Sequence, residues 1–341
     1  MQESKSGSGA RVAVFGEMLL RLSAPNNELL LHSGSLDACF GGAEVNTAVL
    51  LANLGHQARV LTVLPDNDIG RAARAALRRE GVDDRFVTTR SGRMGIYFLT
   101  PGQVRRPSDV LYDRKDSAFA LAPADLFDFE SAFADCDWLH LTGITPAVSA
   151  TAAEASLRAV AAANSKGIPV SFDVNFREKL WAGWTTDAAG FLRRLAAGID
   201  LLFGEERDVT LLTGETFDQA DVLERRRAAA AVAFKAFPRL KRICSTMRTH
   251  AAVTVQTIGA IMATRDDFHI AAPLELHGIV DRIGTGDAFD GGVLHGILRG
   301  KDDTEALALG LSAGAYKHSI PGDFCPAREA DLLGDSFAVR R

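Results

Sequence analysis

Residues 44–64, "EVNTAVLLANLGHQARVLTVL", carry a helix, a stop and a strand in one continuous run. "EVNTAVLLANLG" (44–55) has apolar residues at helical spacing and ends at Gly55, a typical helix stop. "ARVLTVL" (58–64) reads as a buried strand, and "RVAVFGE" (11–17) is another that ends in glycine. The unit then repeats. "DIGRAARAALRREG" (68–81) is an amphipathic helix with an Asp cap, "WLHLTG" (138–143) a strand, and roughly 149–166 a helix. "IPVSFDVN" (168–175), a helix near 187–197, "DLLFG" (200–204), helices across 205–236 and "RICST" (242–246) continue it, and helices over about 286–299 and 303–318 close it. Strands alternating with helices at this rhythm bury both faces of a parallel sheet. The expected fold class is α/β: a doubly wound, mostly parallel sheet flanked by helices.

Two stretches break the rhythm. Residues 18–40 and 93–116 hold short alternating segments, such as "MGIYFL" (94–99) and "DVLYDR" (109–114), with no helix between them. They read as a small β-sheet, either a lid over a site or an oligomer contact. No repeat or linker divides the chain. The expectation is a disordered polar tail over 1–10 and a single domain over 11–341, with lid strands from about 18–40 and 93–116.

Composition excludes several functions. A net charge of −5 over 341 residues leaves no electrostatic footprint for nucleic acid, and Arg225-Arg226-Arg227 reads as a solvated helix face. The four cysteines are far apart, without metal-ligand spacing, and read as reduced core residues. The tail lacks the apolar centre of a signal peptide, and no apolar run approaches the ~20 residues that span a bilayer. A cytoplasmic protein is expected, with no membrane partner.

The chemistry is concentrated in glycine loops. "DRIGTGDAFDGG" (281–292) sets Asp287 directly after Gly284-Thr285-Gly286 at the start of a helix. Asp at a helix start caps bare N–H groups, so capping is one reading. The other is catalytic: the N–H groups stabilise a phosphoryl group while the carboxylate takes a proton from a hydroxyl. Two commoner phosphate loops fail. "GILRGKD" (296–302) has the wrong spacing for a Walker loop, and Phe289 stands where a dinucleotide fingerprint needs its third glycine. A second glycine pair opens a helix in "GGAEVN" (41–46).

Together the two loops resemble the ribokinase-like (PfkB-type) family of sugar kinases. Gly41, Gly42, Asn46 and Ala48 match its GG-x-x-x-N-x-A motif, and Gly284, Gly286 and Asp287 its late Gly-x-Gly-Asp turn. Within it the likeness is greatest to 2-keto-3-deoxygluconate kinases. It runs through "YDRKDSA" (112–118), "LHLTGITPA" (139–147), "FDVNFREKLW" (172–181), "STMRT" (245–249), "VDRIGTGDAF" (280–289) and "KHSIPGDF" (317–324). "DVNFR" is the most telling, because an arginine beside a pocket suits a carboxylate rather than a neutral sugar.

The resemblance implies roles. Asp287 would be the base, with Gly284, Thr285 and Gly286 as anion hole. Gly42 and Asn46 would hold substrate hydroxyls. Tyr97, Tyr112 and Arg114 would reach from the lid, and Arg177 would bind the substrate carboxylate. Packing within the lid is the alternative for the two tyrosines, and an ion pair that for Arg114. Ser245, Thr246, Arg248, Gly286 and Gly314 would border the nucleotide. ATP and Mg2+ are implied as cofactors, a monovalent cation fits the family, and a sugar acid is the other partner. The lid edges would suit pairing into a homodimer.

The chain also departs from the family pattern. Arg282, Thr285 and Asp290 replace the commoner residues around the turn. In "FGEERDVTLLTG" (203–214), Gly204 and Arg207 stand for the usual Asn and Glu of an Asn-x-x-Glu motif tied to magnesium. That leaves Glu205, Glu206 or Asp208 to serve. The leading expectation is an ATP-dependent 2-keto-3-deoxygluconate kinase. A kinase for a neutral sugar such as fructose or ribose is the alternative, and a non-catalytic sugar-acid-binding protein a third.

Overall fold

The computed structural model describes residues 9–252 and 255–333. Thirteen strands form two sheets. They are β1 (Arg11–Phe15), β2 (Leu19–Ser23), β3 (Asp37–Gly41), β4 (Gln57–Pro65), β5 (Val87–Arg90), β6 (Gly95–Thr100), β7 (Asp109–Asp113), β8 (Trp138–Thr142), β9 (Val170–Asp173), β10 (Leu201–Phe203), β11 (Arg242–Ala252), β12 (Val255–Thr264) and β13 (Phe268–His277). The large sheet runs β13-β12-β11-β10-β9-β8-β1-β4-β5, parallel from β11 through to β5, with β12 and β13 antiparallel at one edge.

β1 shows why the sheet is covered on both sides. Val12 and Val14 pack into one apolar cluster and Ala13 and Phe15 into the other, as a period of two requires, and all four are buried. Phe15 meets Phe127 and Phe129 edge-on at 4.8 and 5.4 Å. The first face carries the helices Ala43–Asn53, Asp68–Arg79, Thr285–Leu298 and Asp303–Lys317, whose apolar residues join Val12 and Val14. The other carries Ala150–Ser165, Ala188–Ala196, Glu206–Thr213 and Val222–Ala236.

The small sheet, β3-β2-β6-β7, takes its strands from the two stretches that interrupt the helix–strand rhythm. β5, β12 and β13 fall outside that rhythm and are additions to the sequence reading. β12 and β13 form a hairpin turned by 265–267, so no helix announces them.

The chain winds outward in opposite directions from β1 and β8. Beyond the carboxyl ends of strands at such a reversal lies the crevice where open α/β sheets bind ligands. The ends of β1, β8, β9 and β10, together with the Gly41-Gly42 link from β3 into the helix Ala43–Asn53, converge there.

Candidate active site

Gly284 caps the helix Thr285–Leu298 with φ 79° and ψ 1°, left-handed backbone that favours glycine. A Cβ there would come within 2.3 Å of the Asp323 carbonyl oxygen. At Gly286 a Cβ would meet nothing within 4 Å, so the turn has an open face. The Thr285 hydroxyl donates back to the Arg282 carbonyl at 3.0 Å, which closes the turn from behind. The result is a helix start with N–H groups toward an open space, suited to an anion.

Asp287 stands in the first turn. Asn46 Nδ2 donates to its Oδ2 at 2.6 Å, and the Thr47 hydroxyl donates to its backbone carbonyl at 3.1 Å. Two consecutive residues of the helix Ala43–Asn53 thus fix the acid from a second helix. Asn46 Oδ1 is buried without a partner, an acceptor left open next to the acid. Burial pushes the Asp287 carboxyl up to about 7, the Asn46 bond and Arg177 opposing the shift while Asp323 and Glu44 add to it. That suits a general base at neutral pH.

Gly42 turns with φ 145°, and a Cβ there would approach the Glu17 carbonyl oxygen to 2.4 Å. Across the crevice β9 ends in Asp173. Its Oδ1 accepts from the Asn175 N–H at 3.1 Å, which bends Asn175 into φ 36° and swings the chain out to Arg177. Arg177 is exposed and lies within electrostatic reach of both Asp173 and Asp287. Among the described residues the one hydrogen bond of its guanidinium is to the neighbouring Phe176 carbonyl at 3.2 Å.

The residues of the small sheet are engaged in the protein. The Tyr97 hydroxyl donates to both Asp323 carboxylate oxygens at 2.7 Å. Arg114, 3% exposed, pairs with buried Glu17 at 2.6 Å, and only its Nη1 lacks a partner. Tyr112 is more exposed, with its ring 6.2 Å from that of Tyr97 and 5.8 Å from the Arg114 guanidinium.

A cleft of about 930 Å³ opens on the other side of the turn. Ser245, Thr246 and Arg248 of β11 line it, as do Gly286, Asp173, Asp208 and Asp290. Gly314 lies deeper, where a Cβ would be 3.3 Å from the Thr285 carbonyl oxygen. Its lack of a side chain lets the last two long helices approach behind the turn. A larger cavity, about 1210 Å³, runs between the small sheet and residues 278–283, but neither Asp287, Asn46 nor Arg177 lines it.

The 204–208 segment divides its acids. Arg226, almost fully buried, pairs with Glu205 at 2.7 Å and Glu206 at 2.6 Å, and Arg207 also contacts Glu205. Asp208 accepts from the Glu205 N–H at 2.8 Å and lines the cleft with Asp173. Burial and the charges of Asp287 and Asp208 raise Asp173, and burial with Asp173 and Asp287 raises Asp290. Asp290 Oδ2 is buried without a partner. Among the described residues no three His, Cys, Asp or Glu side chains sit close enough to chelate a metal unaided.

Sequence reasoning missed Asp173, which lies two residues before Asn175 in "DVNFR". It missed Asp323 too, which sits in "IPGDF" and holds the turn from the far end of the chain.

Similarity to known proteins identifies the family. The description "pfkB family carbohydrate kinase" fits residues 10–323. The 2-dehydro-3-deoxygalactonokinase of Haloferax volcanii is 31% identical over 92% of each chain, and the 2-dehydro-3-deoxygluconokinase of Bacillus subtilis 27% over 92% of each. The crystal structure of the Thermotoga maritima 2-dehydro-3-deoxygluconokinase superposes with a TM-score of 0.89 at 34% identity, covering 95% of this chain and 98% of that one. With the family match over residues 10–323 and relatives 31% and 34% identical along nearly the whole length, the chain belongs to the pfkB family of carbohydrate kinases.

Proposed function

We propose that this kinase transfers the γ-phosphoryl group of ATP to the terminal hydroxyl of 2-keto-3-deoxygluconate, giving 2-keto-3-deoxy-6-phosphogluconate. One observation carries the reading: Asp287, fixed by Asn46 at 2.6 Å, sits one residue from an open N–H turn. Asp287 takes the proton as the sugar oxygen attacks, and the N–H groups of Gly284, Thr285 and Gly286 stabilise charge on the transferring group. Attack and proton removal thus meet at one helix start.

The substrate side is supported by three features. Arg177 is exposed beside the acid and matches a carboxylate bidentately. Gly42 leaves backbone room, and Asn46 Oδ1 can accept from a sugar hydroxyl. Arg114 Nη1 is a buried cationic donor without a partner at the end of the small sheet, which acts as a lid that excludes water. Kinases for the gluconate and the galactonate epimer both occur among the relatives, so the shared 2-keto-3-deoxy acid end is the feature read by arginine.

ATP occupies the 930 Å³ cleft along β11, with Ser245, Thr246 and Arg248 as its border, while Gly314 lies behind the turn and does not line it. Arg248 and Arg282 are close enough to repel one another, a pairing that a polyphosphate would relieve. Asp173, Asp208 and Asp290 line the cleft as hard oxygen donors, all raised first by burial and Asp173 and Asp290 also by neighbouring carboxylates, one with an unpartnered buried oxygen. They would hold Mg2+ together with triphosphate oxygens rather than unaided. Glu205 and Glu206 are committed to Arg226 and leave this role to Asp208. When bound, Mg2+ offsets triphosphate charge.

The test is ADP release from Mg-ATP with 2-keto-3-deoxygluconate, fructose or ribose, for wild type and Asp287→Asn. Turnover with the acid, lost in the variant, is expected. Turnover with fructose or ribose but not the acid would overturn the role of Arg177. Binding of the acid with no turnover would favour a non-catalytic binding protein.

A further inference from the structure

Lys317, the last residue of the helix Asp303–Lys317, is 0% exposed, which is rare for lysine. Its ammonium donates to the Ile320 carbonyl at 2.9 Å, and the end of its stem lies 3.4 Å from where a Gly284 Cβ would be. It therefore stands directly behind the glycine turn. Two buried carboxylates share this space. Asp281 accepts from the Ile283 N–H at 2.9 Å and the Gly322 N–H at 3.0 Å. Asp323, whose carbonyl abuts Gly284, accepts from Tyr97. Arg21 bridges the two acids at 2.7 and 3.1 Å.

The charges decide what Lys317 is for. Two carboxylates beneath a turn built for anions would repel the incoming phosphoryl group. Arg21 balances one charge, and a second cation is needed for neutrality. Lys317 enters the same space, its ammonium on the Ile320 carbonyl two residues from Gly322, whose N–H binds Asp281, and supplies it. A charge left unpaired at this depth is strongly unfavourable.

We propose that Lys317 is a positioning residue for the anion turn: its buried ammonium is a built-in counter-ion that holds Asp281 and Asp323 against Gly284 and makes turnover independent of any dissolved monovalent cation. This rests on reading the turn as the phosphoryl site. The family resemblance allows for such a cation. Here an ammonium already fills a place of carboxylates and a carbonyl that would suit one.

The experiment compares wild type and Lys317→Met in tetramethylammonium chloride and in potassium or ammonium chloride at equal ionic strength, reading kcat, KM and Tm. Methionine keeps the buried stem and vacates only the ammonium's place. Wild-type kcat and Tm should not differ between the salts. In tetramethylammonium the variant should lose about tenfold or more of kcat, with KM for ATP little changed, and should regain it in ammonium or potassium. Its Tm should rise in potassium, where that of wild type does not. Wild-type stimulation by potassium of severalfold would overturn the proposal, as would full variant activity in tetramethylammonium or loss without rescue. The Tm comparison needs no turnover, so silence of wild type with every acceptor counts against the function proposed above and not against Lys317. A variant Tm indifferent to potassium counts against Lys317 alone. If Lys317→Met does not fold, the salt dependence of wild type still decides.

Discussion

Replacing Asn46 with leucine removes the amide that donates to Asp287 and leaves a side chain of similar bulk. Asp287 is held up to about 7 by burial and by Asp323 and Glu44, against the Asn46 bond and Arg177, which favour its charged form. Loss of that bond must therefore raise it further. A hydrogen bond to a charged group contributes ~1.5–3 kcal/mol, and at ~1.36 kcal/mol per unit this is about one to two pK units. The acidic limb of kcat/KM for Mg-ATP, which reports the donor-free enzyme and is expected near pH 7 in wild type, should move to about 8–9. At pH 7 the ionised fraction then falls from about one half to between about one in ten and one in a hundred, a loss of roughly five- to fiftyfold. The loss should disappear above the new limb. ADP release with the sugar acid and Mg-ATP, followed from pH 5.5 to 10, reads this directly. A limb that stays in place or moves to lower pH refutes the reasoning, and so does an equal loss at every pH, which would mean damage to the site rather than a shifted base.

Asp287→Asn should be the more heat-stable protein at pH 8 and no more stable at pH 4. A carboxyl raised from 3.8 to about 7 binds its proton more tightly in the folded chain, so stability falls as pH rises between those values. The ceiling is ~4 kcal/mol, discounted to ~1–2 kcal/mol for partial exposure, and Tm at the two pH values tests it. Arg177→Met should raise KM for the acid substrate by about ten- to a hundredfold, as one charged contact is worth ~1.5–3 kcal/mol, with Tm unchanged because Arg177 is exposed; equal activity would remove it from the site. Arg114→Met strands Glu17 and should cost ~3–5 kcal/mol of stability. Adding Glu17→Gln should restore most of that in a denaturant titration, and failure to do so would deny the pairing.

Residues local in sequence were legible, and those assembled from afar were not. The helix–strand rhythm marked the parallel sheet because each unit announces itself within about twenty residues. The same rhythm could not announce β12 and β13, a hairpin with no helix between its strands. Asp287 was legible from its glycines, but its partner Asn46 lies 241 residues away in sequence. The sequence left Tyr97 and Arg114 open between a ligand and a partner within the protein. Whether such residues face a ligand or a partner depends on Asp323 and Glu17, and only the folded chain brings those pairs together. In "GEERD" the acids look equivalent. Arg226, from the next helix, takes two and leaves Asp208 to the cleft.

That division explains how a site can be rich in acids and still bind a polyphosphate. Asp173, Asp208 and Asp290 line one cleft with Asp287 in the adjoining turn, and burial together with neighbouring carboxylates raises Asp173 and Asp290. In the ligand-free chain burial and this crowding favour the protonated forms. On the proposed reading, the cation that arrives with ATP favours the charged forms instead, so nucleotide binding should release protons from Asp173 and Asp290. It also lowers Asp287 toward its working form, since an opposite charge nearby favours the carboxylate. The base is then more fully ionised with the donor in place than without it. The carboxylates that seem to oppose ATP thereby tie activation of the base to arrival of the donor, while Arg21 and Lys317 keep the acids behind the turn from adding to the repulsion.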